Sequence, residues 1–190
     1  MIPLTRPSLG AAELDAIARV LATGMLVQGA EVARFEAEVA ARCGRAFGVA
    51  VSSGTAALHL ALLALDVGAG DEVLVPAMTW PSPAHAVRLV GATPVLVDVC
   101  PHEWNAQPSA FAAARTPNTR AAIVIDQFGS PARHGEIAAA MPGVTIIEDA
   151  ACAIGSRLGD NACGSFGRVA CLTFHPRKIV TTGEGGMCLV

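Results

Sequence analysis

Among the thirteen Lys and Arg side chains of this 190-residue protein, Lys178 is the only lysine. It closes the run Thr173-Phe174-His175-Pro176-Arg177-Lys178, just past an apolar stretch beginning at Val169. A guanidinium cannot form an imine, whereas a lysine amine beside a buried strand is a Schiff-base candidate. The plainer alternative is a solvated surface lysine. Asp149 lies in Ile146-Ile147-Glu148-Asp149-Ala150-Ala151, at the carboxyl end of a second apolar run. Open α/β sheets bind ligands at such ends, and a desolvated Asp149 would need a cationic partner. It could instead only cap the following turn. Ser52-Ser53-Gly54-Thr55-Ala56-Ala57-Leu58 joins a strand-like run to a helix-like one. Its small residues, free amides and hydroxyls suit a phosphate, although Ser53 or Thr55 could serve only as a helix cap. Trp80 could stack on a planar ligand or act as a core or lid residue.

The usual phosphate and metal signatures are absent. No GxxxxGK[ST] occurs, and Gly68-Ala69-Gly70 has Val73 where GxGxxG needs its third glycine. The cysteines at 43, 100, 152, 163, 171 and 188 form no C-x-x-C and no zinc-finger spacing with His. They read as small buried thiols of a reduced, cytoplasmic protein, and no structural metal is expected.

These residues must be held by an alternation of short Val/Ile-rich runs with Ala/Leu-rich stretches. Strands are expected at Phe47–Val51, Glu72–Val75, Pro94–Val97, Ala121–Ile125, Val144–Glu148, Val169–Phe174 and Met187–Val190. Helices are expected at Thr55–Leu65, Pro83–Val90, Ser109–Ala114 and Gly135–Ala140, preceded by amphipathic helices at Ala11–Ala22 and Glu31–Arg42. The first two should end near Gly24 and Gly44, where glycine accepts a left-handed conformation. Such alternation predicts an α/β fold: a mostly parallel sheet covered by helices on both faces. The organisation expected is one domain over 1–190, with a helical segment to about residue 45 and an α/β core over 46–190. Gly185–Val190 reads as a buried strand that stops at once. Its edge would stand unpaired unless the chain is a fragment or a partner completes it.

Composition narrows the function classes. The chain is 53% hydrophobic and 15% charged with net charge −3, which excludes disorder and disfavours nucleic acid or an anionic membrane as partner. Ala46–Leu65 is a twenty-residue stretch free of Asp, Glu, Lys and Arg, the length of a membrane span. Its central Ser52-Ser53-Gly54-Thr55 makes a strand, turn and helix the better reading. The N-terminal Met1-Ile2-Pro3-Leu4-Thr5-Arg6-Pro7 lacks the apolar core of a signal peptide.

Taken in order, the motifs resemble the DegT/DnrJ/EryC1/StrS family of pyridoxal-phosphate sugar aminotransferases, of fold type I. The resemblance runs through Gly24-Met25-Leu26-Val27-Gln28-Gly29, Val32-Ala33-Arg34-Phe35-Glu36 and Ser53-Gly54-Thr55-Ala56-Ala57-Leu58. It continues in Pro76-Ala77-Met78-Thr79-Trp80, Pro94-Val95-Leu96-Val97-Asp98-Val99 and Glu148-Asp149-Ala150-Ala151. It closes with Thr173–Lys178 and Thr182-Gly183-Glu184-Gly185-Gly186. It implies that Lys178 carries the cofactor, pyridoxal 5'-phosphate, as a Schiff base and then shuttles the proton. Asp149 would pair with the pyridinium nitrogen, Gly54 and Thr55 would hold the phosphate, Thr173 would replace a family serine, and Trp80 would stack on the ring. The implied reaction moves an amino group from an amino acid, glutamate or glutamine, to a keto sugar (nucleotide-linked) or keto cyclitol. Its setting would be antibiotic or polysaccharide biosynthesis.

Several departures accompany the resemblance. Cys152 replaces a glutamine expected to bond the ring hydroxyl, which bears on cofactor tuning. Ala30 replaces a common proline, and Asp126 replaces a common histidine, which bears on the sugar pocket. Related dehydratases carry His in place of the Schiff-base lysine, so Lys178 favours transamination. Family members are about twice as long, with a small C-terminal domain and a shared dimeric site. The chain therefore resembles the cofactor-binding large domain alone, active with a complementary polypeptide or as a homo-oligomer. The alternatives are a non-catalytic scaffold or regulatory subunit, or another fold type I enzyme such as a lyase or a desulfurase using Cys152.

Overall fold

The computed structural model describes residues 2–3 and 5–190. Met1 and Leu4, part of the run read above for a signal peptide, lie outside the described residues. Two helices lead: α1 (Ala11–Thr23) and α2 (Ala30–Arg42). In α1, Glu13 Oε2 accepts from the Gly10 amide at 2.7 Å, and Gly24, at φ 69°, ends the helix. The core then runs β1 (Gly48–Val51), α3 (Gly54–Ala64), β2 (Glu72–Pro76), α4 (Ser82–Leu89), β3 (Thr93–Val97) and α5 (Pro108–Ala114). After these come β4 (Thr119–Ile125), α6 (His134–Ala140) and β5 (Thr145–Asp149). A two-residue-strand hairpin, β6 (Arg157–Leu158) and β7 (Asn161–Ala162), precedes β8 (Val169–Thr173) and β9 (Gly186–Leu189).

The main sheet has seven strands in the order β1-β9-β8-β5-β4-β2-β3. From β8 to β3 every pairing is parallel; β9 runs antiparallel to both β1 and β8. Strict two-residue alternation assigns the layers. Val73, Val75, Ile123 and Ile147 face α3 and α4, with Leu58, Leu62 and Val87. Leu74, Val124 and Ile146 face α5 and α6, with Phe111 and Ile137. A third cluster seats Val39 and Ala40 of α2 on Leu172, Met187 and Leu189. Sandwiched so, the strands need few polar residues, which is why they are legible as Val/Ile runs.

One expectation changes and one holds. Gly186–Leu189 is not an unpaired edge. It is an interior strand, Met187 and Leu189 are fully buried, and Phe47 and Val190 exchange both backbone hydrogen bonds. The stretch Ala46–Leu65 divides into β1, a turn and α3, and no helix among the described residues is long and apolar enough to cross a membrane.

Candidate active site

The strands β2, β4, β5 and β8 point their carboxyl ends the same way, so the loops after them converge on one cavity of about 730 Å³. All seven residues singled out from the sequence line it: Gly54, Thr55, Trp80, Asp149, Cys152, Thr173 and Lys178.

The phosphate-like cup forms where α3 begins. The Ser53 hydroxyl accepts from the Ala56 amide at 3.1 Å, which caps the helix and leaves the first-turn amides of Gly54 and Thr55 without intrahelical acceptors. Thr55 Oγ1 lies 2.7 Å from Ser82 Oγ, at the start of α4, so two helix N-termini meet at a pair of hydroxyls. The sequence reading missed Ser82; its signal was a serine directly before Pro83, a helix-start pattern. The loop sits low because two glycines permit it. A Cβ on Gly54 would lie 2.8 Å from Thr173 Cβ, and one on Gly186 would lie 2.7 Å from the Gly54 nitrogen. Thr173 Oγ1 reaches only the Gly185 carbonyl, at 3.4 Å.

Asp149 ends β5 on the cavity floor at 7% exposure. Its Oδ1 accepts from the Ala151 amide at 3.0 Å, and its backbone carbonyl accepts from the Asp126 amide at 3.1 Å. Burial pushes its carboxyl up from 3.8 to about 6, against the Ala151 hydrogen bond and the Lys178 charge, which favour the carboxylate. Lys178 Nζ stands 3.0 Å from Cys152 Sγ, and the Lys178 amide donates to the His175 carbonyl at 2.9 Å. Trp80 also lines the cavity, but at 73% exposure its indole stands at the mouth.

Behind the floor lies a buried polar cluster that sequence reading did not assemble. Asp126 Oδ1 accepts from His134 Nε2 at 2.7 Å and from the Ala132 amide at 2.8 Å. Glu148 accepts from the amides of Gly164 and Phe166, at 2.5 and 2.7 Å. Asp126, Glu148 and Cys163 bring ligand-type atoms within 4.8 Å of one another. Burial, reinforced by Asp126, pushes the Glu148 carboxyl well up.

The strand order, the antiparallel β9 and the helices on both faces make the fold that of the pyridoxal-phosphate-dependent, fold type I aminotransferases. The family model of the DegT/DnrJ/EryC1/StrS aminotransferase family matches residues 7–190, and the chain belongs to that family, whose cofactor is pyridoxal phosphate. Solved structures agree. The Streptococcus pneumoniae protein Spr1654, solved in PLP and PMP forms, is 28% identical in both, with TM-scores of 0.95 and 0.96. Its PLP form covers 99% of this chain and 52% of its own. The aminotransferase TlmJ from Streptoalloteichus hindustanus is 37% identical at TM-score 0.94, over 100% of this chain and 53% of that one. DesV of S. venezuelae is 40% identical at TM-score 0.91, over 94% and 49%. The chain thus spans about half the length of these relatives.

The donor set suits the family's cofactor. A helix N-terminus with two hydroxyls matches a phosphate, an amine matches an aldehyde, and a buried carboxyl on the floor matches a ring N–H.

Proposed function

We propose that this chain is the cofactor-binding part of a sugar aminotransferase, which moves an amino group from glutamate or glutamine to a keto sugar, nucleotide-linked, or to a keto cyclitol. The observation that carries this reading is the sharing of one cavity by the Lys178 amine, the buried Asp149 carboxyl and the Gly54–Thr55 cup. Pyridoxal phosphate, when bound, supplies an aldehyde for imine exchange and a ring that accepts carbanion electrons. Lys178 would hold that aldehyde and would move the proton at the amino-acid α-carbon. Asp149 holds the ring nitrogen protonated; a cation there offsets the burial that otherwise favours the neutral acid. The amides of Gly54 and Thr55, with the Thr55 and Ser82 hydroxyls, hold the phosphate, and Thr173 packs beneath the cup. Trp80, at the cavity mouth, would stack on the ring, and Cys152 stands beside the amine.

Substrate contacts come in this reading from a complementary polypeptide or a second copy, in the cytoplasm. Supporting it, α1 buries none of its residues and exposes Leu14, Ile17 and Leu21, an apolar face of the kind that marks an interface. Titration of the complete assembly with pyridoxal phosphate should raise a visible absorbance band that Lys178→Ala abolishes. If the assembly binds no cofactor with Lys178 intact, the enzymatic reading fails.

A further inference from the structure

The Lys178–Cys152 contact brings together two groups that react in more than one way. Cys152 comes from the turn after β5, where the Ala153 amide donates to the Ala150 carbonyl at 2.9 Å. Lys178 comes from the loop after β8, and the two side chains meet Nζ to Sγ at 3.0 Å. Both are half-buried and both line the cavity, so small solutes reach them. Cys43, Cys163 and Cys171 are buried, Cys188 directs its sulfur at the Ala57 carbonyl, 3.2 Å away, and Cys100 is half-buried but lies outside the cavity lining. Among the described residues Cys152 therefore combines an open approach with an amine in contact.

We propose that Cys152 and Lys178 form a reversible sulfur–nitrogen bond under peroxide, which withdraws the amine from use. Hydrogen peroxide first transfers one oxygen to the Cys152 thiol. Its O–O bond breaks, the sulfur is oxidised to a sulfenic acid, and the peroxide is reduced to water. The Lys178 amine then attacks that sulfur: the N–S bond forms, the S–O bond breaks, and hydroxide leaves with the amine proton as a second water. Sulfenic acids condense with backbone nitrogen in the same way. A dithiol reverses the bond by attacking sulfur, returning the amine and then the free thiol. The bond itself is independent of the proposed function; only its consequence, that a bonded amine cannot take the cofactor, rests on that reading.

The single lysine makes the test direct, because an endoproteinase specific for lysine cuts this chain only after Lys178. The cofactor-free folded protein is treated with hydrogen peroxide, its remaining thiols are blocked, and it is denatured without reductant and digested. Cleavage should fall about tenfold or more, with a mass lower by two hydrogens, and dithiothreitol should restore both. Cys152→Ser and Cys152→Ala should stay cleavable after peroxide. The reversal within the unsubstituted protein tests the bond even if neither variant folds. A disulfide between Cys171 and Cys188, which face each other across β8 and β9, would remove the same mass but leave the cut intact. Unimpaired cleavage at Lys178, with Cys152 recovered as sulfinic acid or as a disulfide, overturns the proposal. Cofactor binding by the untreated protein is read separately by absorbance, so the crosslink and the enzymatic reading can fail independently.

Discussion

At Asp149, the acid of the proposed cofactor site, ionisation is coupled to folding. Its carboxyl keeps a proton to about pH 6 in the folded chain, whereas an ordinary aspartate releases it near 3.8. Between those values the folded state binds the extra proton, so cofactor-free stability falls as pH rises through the window and levels off above it. The gap corresponds to about 3 kcal/mol. Asp149→Asn keeps an acceptor for the Ala151 amide without the charge. The variant should therefore gain up to about 3 kcal/mol over the unsubstituted protein at pH 8, and only about a fifth of that at pH 4. Urea denaturation at the two pH values, without cofactor, measures this; a gain of equal size at both would contradict it. Lys178 stood out in the sequence as the only lysine, and Asp149 as an acid at the carboxyl end of an apolar run. The Asp126–His134 pair and the Glu148 pocket did not. Their members sit 8 to 18 residues apart, and only the loop from β4 to α6 and the turn before β8 bring them together.

At the scale of elements, the contact between β9 and the start of α3 sets the shape of the cup. A methyl on Gly186 would press against Ser53 and Gly54 backbone, which cannot swing aside as a side-chain tip would. Gly186→Ala should cost about 1–3 kcal/mol and weaken phosphate-group binding together with stability. Ser53→Ala, which removes only the cap, should cost about 1 kcal/mol and leave β9 in place. Thermal unfolding with and without inorganic phosphate separates the two outcomes. The helices and main strands were legible in outline, within a residue or two, because burial on both faces writes long apolar runs. The β6–β7 hairpin was not, since two-residue, exposed strands carry no period. The antiparallel direction of β9 was also hidden, because a strand of Gly, Met, Cys and Leu reads alike either way.

For the whole molecule, the apolar face of α1 leads to a prediction about association. Leu14, Ile17 and Leu21 are 57–69% exposed, so replacing all three with glutamate removes little folded-state packing. The triple variant should keep its unfolding midpoint while losing self-association or partner binding, as read by sedimentation; an unchanged assembly would place the interface elsewhere. The family was legible because its motifs fall in fixed order over most of the chain. What covers α1 was not, because exposure on one folded chain belongs to no local pattern. The sheet order carries one last consequence. The strand β1 pairs with β9 alone, and β9 is its bridge to β8. During synthesis β1 leaves the ribosome long before β9 exists, so the Gly54–Thr55 cup that follows β1 cannot settle against β9 and β8 until both have been made. A contact this distant along the chain predicts a slow final closure, during which the half-finished sheet is open to chaperones and to mispairing.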